Sequence, residues 1–212
     1  MAELVRLGEK AVNPLLDALE NDDRSESAFE YENRLLRRTL IQIGEPALLG
    51  IIEALRSGRL GRAAVKVLML FKDVRITEPL LEVVRDADHP VNTRAYALDA
   101  LAYLQPPEAF DSLVSLLEDS NLLIRGHAAR ALGNYRDPRT LPAIRKSLQH
   151  PGTTPFMDWR KSAETALRRI EEPTFRGSDP GFFEQYLPFM AGKKQRPGLS
   201  GSGRVGNGHA DE

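Results

Sequence analysis

The chain has 212 residues, 42% of them hydrophobic, with no cysteine and a formal net charge of −1. The lack of cysteine excludes disulfides and thiolate metal sites, and a near-neutral balance means that bulk charge draws no particular partner. No apolar run approaches the ~18 residues a membrane span needs, and Met1 to Arg6 carry no apolar core of a signal peptide, so a cytoplasmic location is expected.

In chain order, the first signal is a repeated phrase. Leu4-Val-Arg-Leu-Gly-Glu-Lys-Ala through Leu19 returns 36 residues later as Leu40-Ile-Gln-Ile-Gly-Glu-Pro-Ala through Leu55, without a gap. Looser copies surround Leu68, Leu101, Leu132 and Leu167. A recurring unit of about 28 to 36 residues means stacked modules rather than one globular core. Two helical patterns alternate. A helices are predicted over 9–20, 45–56, 75–86, 107–118 and 138–149, with apolar pairs at helical spacing such as Leu15/Leu16/Leu19 and Leu80/Leu81/Val84. Proline stands in or near the first turn of most of them, where its missing N–H costs nothing. B helices are predicted over 30–43, 59–71, 91–104, 121–135 and 158–171, rich in alanine that lets helices approach closely. Connections are short and carry turn residues; Asn21 to Phe29 is the exception and reads as an exposed, mobile loop.

The B helices share Arg-x-x-Ala-x-x-Ala-Leu, with Arg94, Arg125 and Arg160 each seven residues before the helix leucine; Gly61 and Asn33 break the pattern. With the A-helix pattern Pro-x-Leu-Leu-x-x-Val/Leu, this resembles HEAT repeats, in particular the short subtype named after phycobilisome lyases. The resemblance covers residues 1–172. It implies an all-α, right-handed α-solenoid (an alpha-alpha superhelix of the ARM/HEAT type) of about five helix pairs. Met1 to Leu7 match only the second half of a B helix, so the array is expected to start mid-repeat. Residues 173–192 form a second segment, aromatic at Phe182, Phe183, Tyr186 and Phe189, read as a cap on the last pair or as a docking motif. Residues 193–212 are Gly- and Ser-rich without periodicity and read as a disordered tail.

No residue set announces catalysis, and no cofactor or metal is expected. Deoxyhypusine hydroxylase, a metal enzyme built on HEAT-like repeats, carries His-Glu dipeptides that supply iron ligands. Here the four histidines precede Pro90, Ala128, Pro151 and Ala210, and none has Glu beside it. A phosphate loop, dinucleotide fingerprint and nucleophile elbow are all missing. The positions two and six residues before each B-helix leucine share one face. They hold Arg34, Arg38, Arg62, Lys66, Arg130 and Lys161, interrupted by Asp99, with Tyr96 and Tyr103 beside them. This reads as a basic strip on the concave side, the usual binding surface of such arrays. The expected role is a non-enzymatic scaffold or adaptor holding another protein with an acidic surface. The alternatives are a lyase-like or chaperone-like subunit acting on a cofactor-bearing protein, and a nucleic-acid-binding arc. A pI near 6.5 without a dense Lys/Arg cluster argues against nucleic acid. Arg94, Arg125 and Arg160 are expected to be structural, paired with loop acids.

Overall fold

The structure, a computed structural model, describes residues 7–24, 34–149, 159–172 and 174–175. Those residues form ten α-helices and four short 3-10 turns, with no strand among them. The helices are α1 (Glu9–Arg24), α2 (Arg34–Ile43), α3 (Glu45–Arg56), α4 (Arg62–Phe71), α5 (Thr77–Arg85), α6 (Val91–Leu104), α7 (Phe110–Ser115), α8 (Leu122–Tyr135), α9 (Leu141–Ser147) and α10 (Trp159–Glu171). Odd-numbered helices are the A helices and even-numbered helices the B helices, giving five stacked pairs of an α-solenoid.

Local chemistry sets where each helix starts and stops. The last three A helices are not uniform. They open as 3-10 turns at Val74–Ile76, Pro107–Ala109 and Pro138–Thr140, and α7 closes in another at Leu116–Glu118. Asp73 and Asp137 cause two of these openings, because their carboxylates accept the backbone N–H of Arg75 and Arg139 at 2.9 Å, closing a tight turn before the helix. The first A helix runs on to Arg24, through the first residues of the loop expected over 21–29, while residues 25–33, the rest of that loop and the start of the B helix expected over 30–43, lie outside the described residues.

Each B helix before the last hands over to the next A helix through one left-handed residue: Gly44 (φ 80°), Lys72 (φ 56°), Gln105 (φ 51°) and Arg136 (φ 53°). Gly8, at φ 54°, occupies the corresponding place before α1. This conformation turns the chain while its N–H closes on a helix carbonyl; Gln105 donates to the Leu101 oxygen at 2.8 Å. Glycine adopts it without strain, but three of these turns use residues with a Cβ.

The core runs the length of the stack. Leu68, Leu101 and Leu132 are each fully buried, as their repeated position predicts. Small residues set the spacing between B helices: a Cβ on Gly133 would lie 2.9 Å from the Ala166 backbone, so α8 and α10 touch nearly main chain to main chain.

Candidate functional site

The even-numbered helices carry nearly all the chemistry singled out in the sequence. Arg38 on α2 and Lys161 on α10 are exposed. Arg62 and Lys66 on α4 are half-buried, and the Lys66 ammonium sits 5.3 Å from the centre of the Tyr96 ring on α6. Arg34 opens α2, but its side chain lies outside the described residues, as do Phe182, Phe183, Tyr186 and Phe189. Tyr103 is exposed near the end of α6 and lines a groove beside the B-to-A turns.

The strip is not the uniform outer row that its spacing suggests. Asp99, expected to interrupt it on the surface, is buried. Its carboxylate meets His127 Nδ1 at 2.6 Å and the Arg130 guanidinium, both on α8. Arg130 also lies 2.8 Å from the same imidazole nitrogen. Helix packing explains the difference. The B helices stack so closely that a position two residues before the leucine on α6 faces α8 instead of solvent. Burial opposes ionisation of Asp99, but the hydrogen bond and charge of His127, with those of Arg130, hold its carboxyl below the ordinary value. The pairing of α6 with α8 therefore rests on a polar network as well as on alanine and leucine. Sequence reasoning missed it because Asp99 and His127 come from different repeats; only the i, i+3 pair His127/Arg130 is local.

Arg94, Arg125 and Arg160 do recurring structural work. Arg94 donates to the Val84 carbonyl at 3.1 Å and to the Asp119 carboxylate at 2.6 Å. Arg125 donates to the Asp119 carbonyl, and Arg160 to the Leu148 carbonyl at 2.6 Å. Each arginine thus reaches the carbonyl end of the A helix before it, where unpaired oxygens and the helix dipole favour a cation. Asp119 ties these parts together, since its other carboxylate oxygen accepts the Asn121 N–H at 2.8 Å. Arg125 and Arg160 also flank the buried Trp159 ring, at 6.0 and 5.1 Å from its centre. No described helix is long and apolar enough to cross a membrane.

Comparison with known proteins adds chemistry that the geometry leaves open. The chain is 32% identical to rat deoxyhypusine hydroxylase over 106 residues, which is 48% of this chain and 34% of the relative. The mouse enzyme of the same name is 31% identical over 106 residues, with the same shares. The chicken enzyme is 35% identical over 88 residues, 42% of this chain and 29% of the relative. The chain spans about a third of the length of these curated relatives. All three are named as enzymes, which overturns the expectation of a non-enzymatic scaffold or adaptor. That expectation leaned on the repeat pattern, and a pattern of core leucines and alanines reports backbone packing without reporting chemistry.

A hydroxylase of this kind implies iron, and the described donors can be tested against it. Among the described residues no three His, Cys, Asp or Glu side chains converge to hold a metal ion. His127 presents Nδ1 to a carboxylate and a guanidinium, and a fixed cation beside a candidate ligand opposes a metal. His89 sits in the turn before α6, 3.8 Å from Asp86. The described residues do not fit the metal. Residues 77–168 match the family model of HEAT repeats, and this match over the middle of the stack, together with the paired helices, supports a HEAT-repeat protein.

Proposed function

We propose that the chain takes part in enzymatic side-chain modification, as a repeat array of the deoxyhypusine-hydroxylase kind that holds a deoxyhypusine-bearing protein against its B-helix face. The observation that carries this reading is the similarity of about half the chain to three enzymes of that name. The region matched by the HEAT model contains α6 and α8, whose Asp99, His127 and Arg130 form a cluster of titratable groups between two B helices. Arg38, Arg62, Lys66 and Lys161 on the same set of helices would draw an acidic surface of the substrate protein.

The test combines the purified chain with a protein carrying deoxyhypusine, with and without added ferrous iron. Binding is followed by calorimetry, and gain of one oxygen atom by mass spectrometry. The expected result is specific binding that weakens with salt and is lost when the deoxyhypusine residue is replaced by lysine. Oxygen gain would place the reaction in this chain itself. Equal affinity for the lysine form, or no binding and no oxygen gain, overturns the proposal.

A further inference from the structure

The left-handed turns at Lys72, Gln105 and Arg136 recur along one edge of the stack, and successive turns enclose grooves. The groove between the turns at Gln105 and Arg136 is filled by the chain. Tyr135 donates its hydroxyl to the Pro106 carbonyl at 2.7 Å, and its ring stands edge-on to Phe110 at 6.1 Å. The Arg139 guanidinium closes over the Phe110 ring at 4.9 Å. One repeat earlier the same places are held by Leu104 for Tyr135, Thr77 for Phe110 and Glu108 for Arg139. No side chain there is large enough to do the same job. The groove between Lys72 and Gln105 stays open, with a volume of about 530 Å³ over Met69, Leu104 and Pro106. Val74, Tyr103 and Leu104, which line it together, are 86%, 42% and 37% exposed, so apolar surface is grouped in one groove.

Two observations point to an occupant. The described chain leaves the stack on this same edge: the Phe175 carbonyl accepts from Arg136 at 2.9 Å, and its ring lies 4.1 Å from the Arg168 guanidinium. Beyond it comes Phe182-Phe-Glu-Gln-Tyr-Leu-Pro-Phe189, which lies outside the described residues. From Phe175 to Tyr186 the extended chain can span about 36 Å, while the groove lies about two helix spacings, ~20 Å, from Arg136.

We propose that the open groove between the turns at Lys72 and Gln105 docks the chain's own aromatic stretch 182–189, one ring taking the place that Tyr135 takes in the next groove. Docking covers the exposed Val74 and Tyr103 and ties the C-terminal segment back across two repeats.

A chain without cysteine allows a direct test. Val74→Cys is combined in the full chain with a cysteine at Phe182, Tyr186 or Phe189 in turn, and disulfide formation within one chain is followed under mild oxidation. Leu49→Cys, exposed on α3 and not among the residues that line the groove, serves as the reference with the same three positions. A docked segment raises the local concentration, so the fastest Val74→Cys pair should close at least about tenfold faster than its Leu49→Cys counterpart. Adding Leu104→Arg should remove that advantage, with circular dichroism confirming that the helices persist. Equal rates at the two sites, bridges only between two chains, or no response to Leu104→Arg overturns the proposal.

Discussion

Asp99 shows how one buried carboxylate can organise a helix contact. It is sequestered between α6 and α8, where an unpaired charge would be costly, and its contacts with the Arg130 guanidinium and the His127 imidazole make the charged form the stable one. Its lowered folded pKa fixes the sign of its linkage. The contribution is fully present above the ordinary carboxylate value of about 3.9 and disappears as pH falls through the lowered value. Asp99→Ala should cost about 3–5 kcal/mol in denaturant unfolding at neutral pH, because it removes the buried carboxylate that both His127 and Arg130 contact. Asp99→Asn should flatten the acid limb of stability against pH; an unchanged acid limb would mean that the network contributes nothing to folding. Asp99→Lys, which a surface position would tolerate, should destabilise by placing a third basic group beside Arg130 and His127. Lys72 and Gln105 supply a second case at this scale. Both hold positive φ without being glycine, a conformation that costs an L-residue about 1–2 kcal/mol, and glycine recovers part of that against its greater freedom when unfolded. Lys72→Gly and Gln105→Gly should each raise stability by about 0.5–1 kcal/mol in chemical denaturation.

At the scale of elements, the recurring device is an arginine from each of the last three B helices bonded to the end of the preceding A helix. The spacing in the sequence made these arginines visible as a set, and it also favoured a structural role. It did not reveal their targets: Val84, Asp119 and Leu148 contribute backbone carbonyls, and a carbonyl has no signature in the sequence. Arg160→Ala should destabilise by about 1.5–3 kcal/mol, the range for a charged hydrogen bond, and Arg160→Lys should recover only part because lysine lacks the planar fork. Hydrogen exchange should localise the loss to α9 and α10. Protection lost uniformly across the stack would instead mean that the arginine holds the whole array. Helix boundaries were legible where glycine or proline punctuation and periodicity coincide, as at Gly44 and Pro46 for α3 and at Pro90 for α6. They were less so in the A helices from Thr77 onward, where a 3-10 turn and the α-helix compete over the first three residues. Close approach of α8 to α10 was legible only as a richness in small residues. Gly133→Ala should cost about 1–3 kcal/mol through overpacking against the Ala166 backbone, although alanine is the better helix former.

The described residues form a row of five pairs, and their surface has to be read along that row. The fold was legible because repetition samples the same packing problem several times, so buried leucines and alanines reappear in register. The candidate site was only partly legible. Position within a repeat says which helix a residue lies on, but the stagger between neighbouring B helices decides whether it faces water, and that stagger is set by packing that no single repeat records. Asp99 and Arg130 turned out to face each other, whereas Arg38 and Lys161 remain exposed on the first and last B helices. Those two stand about 40 Å apart at one helix spacing per pair. Only a protein-sized partner can touch both, which gives the proposed substrate-holding face a quantitative signature. Arg38→Glu and Lys161→Glu should each slow association with an acidic protein while leaving folding intact. At that separation their effects on the free energy of binding should add, because the sites are too distant to couple directly. Raising the salt should shrink both effects together, since exposed charges are screened beyond about 10 Å at 0.1 M. The measurement is association kinetics of the wild type, both single variants and the double variant at two salt concentrations. Additive, salt-sensitive losses place the partner along the whole array. A loss confined to one variant places it at that end alone.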